Sequence, residues 1–442
     1  MTDPAPSVRP SSEQARSDPR HSERADSPSP SEEPLPWGGR GEDSAQHSGR
    51  TDGLGPGLYV HVPFCGALCS YCDFYSVAKN DAAGHRYVDA LEAEIALRTP
   101  PDFAPTTVFI GGGTPTALSD ADFARCLAAI ARIATPSGAL REWSVECNPN
   151  SLSPEKAQIM VEAGVTRASI GVQSFDDAIL RSVGRIHDAA EARRAVQVAR
   201  AAGIEQVSLD LLFAIPGQGL ATFRRDLDEA LRLGTDHVSA YALLYECGTN
   251  ITARKERGLV QPEDEDVELT MMRMAHEVLG AAGFERYEIS NFGRPGAHCL
   301  HNVNYWRNGD YLGLGPSAVS YMDGDRRANV ASWREWEEHV LRGADSVASS
   351  ERLPPSRAAA EELMVRLRLA EGASLSDVAA RWNTDLRTPL EPLLRRFATA
   401  GLLDFVREDG APEVDAEFGR IRLTERGLEV ADGVLAEIID CL

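Results

Sequence analysis

The chain has 442 residues, room for two or three domains, and its 43% hydrophobic and 25% charged content is that of a soluble globular protein. A formal net charge of −22 argues against nucleic acid as the main partner and against broad docking on anionic lipid, since both need clustered Lys and Arg. No apolar run approaches the roughly 18 residues of a membrane span, and residues 1–53 hold no signal-peptide core, so stable membrane insertion is not expected and the expected location is cytoplasmic.

Residues 1–53 carry eight Pro and ten Ser with ten acidic and six basic side chains. Such a segment buries too little apolar surface to offset ordering entropy and reads as a disordered tail. From Gly57 onward, short β-rich runs alternate with helical patterns. The strands fall at 58–62, 107–110, 143–146, 167–172, 207–212 and 237–243; the helices lie near 83–98, 119–133, 154–163, 188–202 and 220–233. Gly164, Gly203 and Gly234 stand where helix C-caps belong. Six βα repeats with buried-type strands predict an α/β fold with a parallel sheet over 54–290. An open six-unit partial barrel is the first reading and a doubly wound sheet the second.

A long helix with an acidic start follows at 264–282, then a strand at 285–289. Residues 291–354 read as a connecting segment. From 355 to 442 the pattern predicts helices at 357–370, 375–382 and 388–401, a strand pair at 402–406 and 420–423, and a last helix. Three helices with a two-stranded wing make a winged-helix-like domain, and its acidic last stretch favours packing or partner docking over DNA binding.

The chemistry concentrates after the first strand. Cys65, Cys69 and Cys72 form a Cys-x3-Cys-x2-Cys loop, three of only eight cysteines in the chain. For zinc the set lacks a fourth ligand. For a [4Fe–4S] cube it supplies three thiolates and leaves one iron open to bind a ligand. The neighbouring Tyr71 and Phe74 read as aromatic shielding for such a cluster and a stacking surface for an adenine. Gly111, Gly112 and Gly113, followed by Thr114-Pro115-Thr116, come directly after the second strand, and glycines there let backbone approach a ligand closely. Glu146 ends the third strand, Gln173 follows the fourth, and Asp210 sits inside an otherwise apolar fifth strand. A charge in such a strand is costly unless it is met, so Glu146 and Asp210 are expected to face a ligand. Arg185 on the following loop is placed to hold a carboxylate.

Together Cys65-x3-Cys69-x2-Cys72 and the Gly111–Pro115 run resemble the radical SAM superfamily. The wider pattern resembles the branch that holds the oxygen-independent coproporphyrinogen III oxidases and the HemW heme chaperones. It comprises Leu58-Tyr59-Val60-His61-Val62-Pro63-Phe64, Glu146-Cys147-Asn148-Pro149 and Ser169-Ile170-Gly171-Val172-Gln173-Ser174-Phe175. The oxidases continue the cysteine motif with Gly and a fourth Cys, where this chain has Asp73 and Phe74; the chaperones read Cys-Asp-Phe, as here. His301-Asn302-Val303-Asn304-Tyr305-Trp306 matches the HNxxYW signature of the chaperones.

The resemblance implies a partial (β/α)6 radical-SAM barrel. Cys65, Cys69 and Cys72 would carry the cluster, and Tyr59, Gly112 and Glu146 would contact S-adenosylmethionine (SAM). Tyr71, Gly113, Thr114, Gln173, Arg185 and Asp210 match residues that touch a second SAM in the oxidases. Heme is expected near the barrel mouth with His301 as a candidate axial ligand, Tyr305 and Trp306 stacking on the macrocycle, and His298 and Cys299 as competing ligands. The expected function is heme transfer to acceptor hemoproteins, including membrane respiratory enzymes met transiently. The alternative is oxidative decarboxylation of coproporphyrinogen III in porphyrin biosynthesis. The resemblance also leaves room for a homodimer in which the cluster serves assembly or gating.

Overall fold

The computed structural model describes residues 53–406 and 419–442. The disorder expected for residues 1–53 therefore falls outside the described residues, Gly53 apart. Six parallel strands follow one another in space in the order of the chain: β1 (Gly57–Val62), β2 (Thr107–Gly112), β3 (Glu142–Cys147), β4 (Arg167–Gln173), β5 (Gln206–Phe213) and β6 (His237–Ala242). The helices Asp81–Arg98, Asp120–Ala134, Pro154–Ala163, Ala189–Ala202 and Leu220–Arg232 form the crossovers. A strand order that never reverses, with every crossover of the same hand as parallel βαβ units require, puts every helix on one face. That is the geometry of a barrel; a doubly wound sheet would reverse its order in the middle.

The barrel stays open. Beyond β6 the sheet continues antiparallel through Asn291–Gly293 to Glu285–Arg286. At the other edge Tyr311–Leu314 lies parallel to β1, and Val319–Met322, Asp325–Asn329 and Val347–Arg352 add an antiparallel meander, twelve strands in all. Residues 291–354, expected as a connection, thus supply five strands of the same sheet. Their hairpin turn is Asp323-Gly324, both at positive φ (51° and 79°) between the paired Met322 and Asp325. That is the two-residue turn whose twist suits antiparallel strands.

Helix boundaries follow local chemistry. Ser119, Ser153 and Asp188 accept from backbone N–H groups at their helix starts, and Asp188 forms a reciprocal capping box with Glu191. Gly164 and Gly203 end their helices at φ of 95° and 92°. Between sheet and helices lies one apolar core. Leu58, Val60 and Val62, Val108 and Ile110, Trp143 and Val145, and Val207 and Leu209 pack there against Tyr87, Leu91, Phe123, Leu127 and Phe223. The alternate residues of the same strands point the other way, into the barrel, and most of them are polar.

The C-terminal part has its own core, built on Leu363, Leu367, Leu390, Leu394, Ile421, Leu435 and Ile438. It runs helix Pro355–Arg366, strand Ala373–Ser374, helices Leu375–Trp382 and Arg387–Thr399, then strands Leu403–Val406 and Arg420–Leu423, which is winged-helix order. The expected last helix is two, Glu425–Glu429 and Ala431–Asp440.

The meander is fixed to the first crossover helix by a buried carboxylate. Glu94, with no exposed surface, accepts from Gly315 N (2.6 Å), Ser346 Oγ (2.8 Å), Asn329 Nδ2 (3.0 Å) and Arg98 Nη1 (3.2 Å). Arg98 is itself 6% exposed. Glu94→Ala leaves Gly315 N without its acceptor and Arg98 with only Asn329, Ser346 and the more exposed Asp345 carboxylate (3.7 Å), and is expected to cost about 3–5 kcal/mol, read from the urea midpoint, while Glu94→Gln costs less because it keeps an acceptor. Equal loss in both variants would show that charge pairing contributes nothing.

Candidate functional site

The barrel interior has two ends with opposite character. At the N-terminal ends of the strands, the first residues of four of them converge on residues 297–301, and that of a fifth, His237, is met by Ser208 and Tyr287. The Glu142 carboxylate accepts from the backbone N–H of Leu300 (2.7 Å) and His301 (3.1 Å) and from the Cys299 thiol (3.4 Å). Arg167 Nη1 donates to the Ala297 carbonyl (3.2 Å). His237 bonds Ser208 Oγ through Nδ1 (2.8 Å) and Tyr287 Oη through Nε2 (2.9 Å). Thr107 Oγ1 meets His301 Nδ1 at 2.9 Å, and Gly57 leaves only 3.0 Å between a would-be Cβ and the His301 ring. This end is closed by protein.

The hexapeptide builds that floor. Helix Leu300–Trp306 carries His301 with no exposed surface, stacked on Phe109 (5.4 Å) and edge-on to Tyr305 (4.6 Å). Burial pushes its imidazole down to about 3, so it is neutral, and its Nε2 has no hydrogen-bond partner. Asn304 donates to the Asp310 carbonyl (3.0 Å), and Trp306 lies under the Arg368 guanidinium (5.0 Å) of the C-terminal part. The expectation of His301 as a ligand at the barrel mouth is corrected here: its side chain is sealed at the opposite end, roughly 17 Å away along a six-residue strand. Tyr305 and Trp306 are likewise packed on protein, Tyr305 against Tyr311. Cys299 is buried on Glu142, and His298 stacks on Tyr287 (4.4 Å) and pairs with Glu285 (3.2 Å).

At the C-terminal ends the interior opens. Cys65, Cys69 and Cys72 are free thiols, each half-buried, on one loop after β1. The loop is fixed by its neighbours: Ser70 N donates to Val183 O (3.1 Å), Ile251 N to Ser70 O (2.8 Å), and Thr114 N to Phe64 O (2.7 Å). Thr114 Oγ1 lies 3.6 Å from Cys65 Sγ and Arg185 Nη1 3.3 Å from Cys69 Sγ. Burial raises the Cys72 thiol to about 11 and raises that of Cys65, where Thr114, Ser76 and Arg185 pull the other way. Among the described residues no three His, Cys, Asp or Glu side chains converge on a single ion. A cube takes each thiolate on a different iron and needs no such convergence. Phe74, two residues past Cys72, is exposed; Tyr71 is half-buried against a small apolar cluster with Ile179, Val183 and Leu243.

The glycine run serves packing on every side. A Cβ on Gly111 would stand 2.7 Å from Glu146 Oε2, one on Gly112 would clash with the His61 ring, and one on Gly113 would stand 2.7 Å from Val62 O. Gly112 also has φ of 95° and donates its N–H to Glu146 Oε2 (3.1 Å). The space expected for a ligand on the Cβ side of these residues is thus taken by the protein's own groups.

Glu146 and Asp210 are both half-buried in the lumen with Ser169 between them, which donates to Asp210 Oδ1 at 3.2 Å. Burial, then the Asp210 charge, pushes the Glu146 carboxyl up to about 8 against the pull of Gly112 N–H; burial also raises Asp210. Tyr59 is half-buried beside them. Gln173 sits at φ 69° where the β4–β5 ladder breaks, a strained backbone of the kind found at binding sites. Asp226 holds that turn by accepting from Phe175 N (2.7 Å) and Ser174 Oγ (2.8 Å). Arg185, expected to hold a carboxylate, spends Nη2 on the Gly171 carbonyl (2.5 Å) and Nη1 on Cys69. Tyr59, Glu146, Gln173, Asp210, Arg185, Gly112 and Thr114 therefore share the end of the barrel that bears the cysteine loop, and His301 does not. Sequence reading missed Glu142, Arg167, His61 and His237. Their signal was the period-two alternation of polar residues within strands read as wholly buried.

Residues 59–230 match the Radical SAM superfamily and residues 353–409 the HemN C-terminal domain. The solved coproporphyrinogen III oxidase HemN of Escherichia coli superposes with a TM-score of 0.74 over 90% of this chain and 92% of its own, at 21% identity, a likeness of fold. Fold and site define a radical SAM protein with a HemN-type C-terminal domain, and that superfamily implies a [4Fe–4S] cluster and SAM. Heme chaperone HemW of Bacillus subtilis is 34% identical over 78% of this chain and 92% of its own length; that of Mycobacterium tuberculosis is 36% identical over 87% and 94%. The chain belongs to the HemW family. Among the described residues no helix is long and apolar enough to cross a membrane.

Two substitutions test this geometry. Gly112→Ala adds left-handed strain and a clash with His61 and is expected to cost about 2 kcal/mol or more of unfolding free energy and to lower iron retained per chain; wild-type stability would mean that the ring does not lie there. Glu146 binds its proton more tightly folded than unfolded. Its contribution is therefore whole below the ordinary carboxylate range and is lost as pH rises towards about 8. Glu146→Gln should gain stability relative to wild type between about pH 5 and pH 8, measured as paired thermal midpoints. A constant difference across that range would refute the raised carboxyl.

Proposed function

We propose that this protein is a cytoplasmic heme chaperone that holds a [4Fe–4S] cluster and SAM, binds heme, and passes it to acceptor hemoproteins. The observation that carries the reading is the pairing of the Cys65–Cys69–Cys72 loop, continued by Asp73-Phe74, with an open, acceptor-lined lumen in a chain of the HemW family. Three free thiols on a loop braced at Ser70 fit a cube, and Tyr59, Glu146 and Asp210 below them fit a ligand bearing ammonium and sulfonium charge. When bound, the cluster supplies an electron and an open iron for the amino acid end of SAM.

The chain's own residues do the rest. Cys65, Cys69 and Cys72 hold the cluster while Arg185 sets charge against Cys69. Gly112 N–H fixes the Glu146 carboxyl in place, and Gln173 and Asp210 line the deeper wall with Tyr71, Gly113 and Thr114 beside the loop. Leu68, Phe74 and Ile186 stand exposed on or against the loop (57%, 64% and 52%), a rim suited to an apolar macrocycle. Heme is the cargo, met at this mouth.

Anaerobically reconstituted full-length protein should give a Soret band on hemin addition. With SAM, reductant and coproporphyrinogen III it should form no protoporphyrinogen; its formation would assign the oxidase reaction instead. His301→Ala should keep the wild-type Soret position and lower the thermal midpoint, because it empties a buried site in the floor. A shifted Soret band with unchanged stability would restore His301 as the ligand.

A further inference from the structure

His61 lies two residues past Tyr59 on β1, faces the same lumen, and is 4% exposed. Both ring nitrogens are engaged. Nε2 lies 2.9 Å from the carbonyl oxygen of Tyr75, in the segment that closes the cysteine loop, and Nδ1 lies 3.0 Å from the Tyr59 hydroxyl. A carbonyl oxygen only accepts, so Nε2 carries a hydrogen. Burial lowers the proton affinity of the ring, so it is neutral and Nδ1 carries a lone pair. The Tyr59 O–H must then donate to His61. The phenol is left as an acceptor on a lumen-facing side chain near Glu146.

The ring cannot turn away from this arrangement. Gly112 leaves it no more room than glycine allows, and Tyr87 Oη holds the His61 carbonyl at 2.8 Å. Tyr75 is fixed in turn, its hydroxyl accepting from Trp333 N at 2.9 Å. We propose that His61 is a positioning residue that couples the cysteine loop to Tyr59, keeping the phenol oriented to accept from a cationic N–H group of the ligand in the lumen. The inference rests on the reading that this ligand is SAM.

The two amides that mimic one imidazole nitrogen each separate the bonds. His61→Gln places an N–H near the ε position for Tyr75 and lacks the δ acceptor; His61→Asn keeps the δ acceptor and loses the tie to Tyr75. The full chain is reconstituted anaerobically. SAM affinity is measured by equilibrium dialysis, alongside iron per chain and the electron paramagnetic resonance change that SAM induces in the reduced cluster. Expected are about tenfold weaker SAM binding in His61→Gln at wild-type iron content and affinity within about threefold of wild type in His61→Asn. No further loss is expected when His61→Gln is added to Tyr59→Phe, a non-additivity that general loosening of the fold would not produce. The inference is overturned if His61→Gln binds SAM like wild type, or if its loss persists in the Tyr59→Phe background. If His61→Gln fails to hold iron, His61→Asn decides: a tenfold loss there also overturns it. Wild-type protein that holds its cluster yet binds no SAM overturns the reading of the lumen and the inference with it, a failure distinguishable because it precedes any substitution.

Discussion

The period of two along the parallel strands is the constraint on which the molecule depends. Leu58, Val60 and Val62 face the helices, so Gly57, Tyr59 and His61 must face inward, and the same holds for Glu142, Ser144 and Glu146 on β3. An interior so polar cannot collapse on itself as an apolar barrel core does. Every charge turned inward must be met by another group or left to a ligand. At the floor they are met: Glu142 by three donors of residues 299–301, Arg167 by the Ala297 carbonyl, His237 by Tyr287 and Ser208. At the mouth burial raises the proton affinity of both Glu146 and Asp210, the Asp210 charge adds to it at Glu146, and two such carboxyls in one open lumen mark where a ligand belongs.

The mouth is rigid because its parts lock one another. Three glycines let the end of β2 close on Glu146, on the His61 ring and on the backbone of Val62–Phe64, and through Phe64 the cysteine loop is fixed to Thr114. Side chains carried on strand ends and wedged by neighbours are held more closely than side chains on free loops, which suits the cluster and SAM that the superfamily implies. The strained backbone of Gln173 persists for the same reason, since Asp226 clamps the two residues that follow.

Much of this was legible before the structure. Six βα units, their order and the cysteine loop followed from strand-like runs, capping residues and spacing. The polar lumen is harder to see, although Glu142, Ser144 and Glu146 alternate in plain view, because short β-rich runs between helical patterns read as strands buried on both faces. The Asp323-Gly324 turn between strand-like runs carried the signal for the edge hairpin and was passed over inside a presumed connection. The hexapeptide misled for a different reason. A run of His, Asn, Tyr and Trp is as suited to packing as to holding a cofactor, and nothing in its spacing says which end of a barrel the helix will plug. That depended on Glu142, more than 150 residues earlier, accepting from the start of that helix.

Accessibility then separates the two ends of the barrel. For His301 Nε2 to reach a metal, helix Leu300–Trp306 must leave the floor. That would strip Glu142 of its donors, deprive Arg167 of Ala297 and pull Trp306 from beneath Arg368. Uncovering a buried carboxylate and guanidinium without partners costs several kcal/mol for each unless the whole segment finds new partners. At the mouth nothing need be broken: the thiols are already half-exposed and Leu68, Phe74 and Ile186 already face outward.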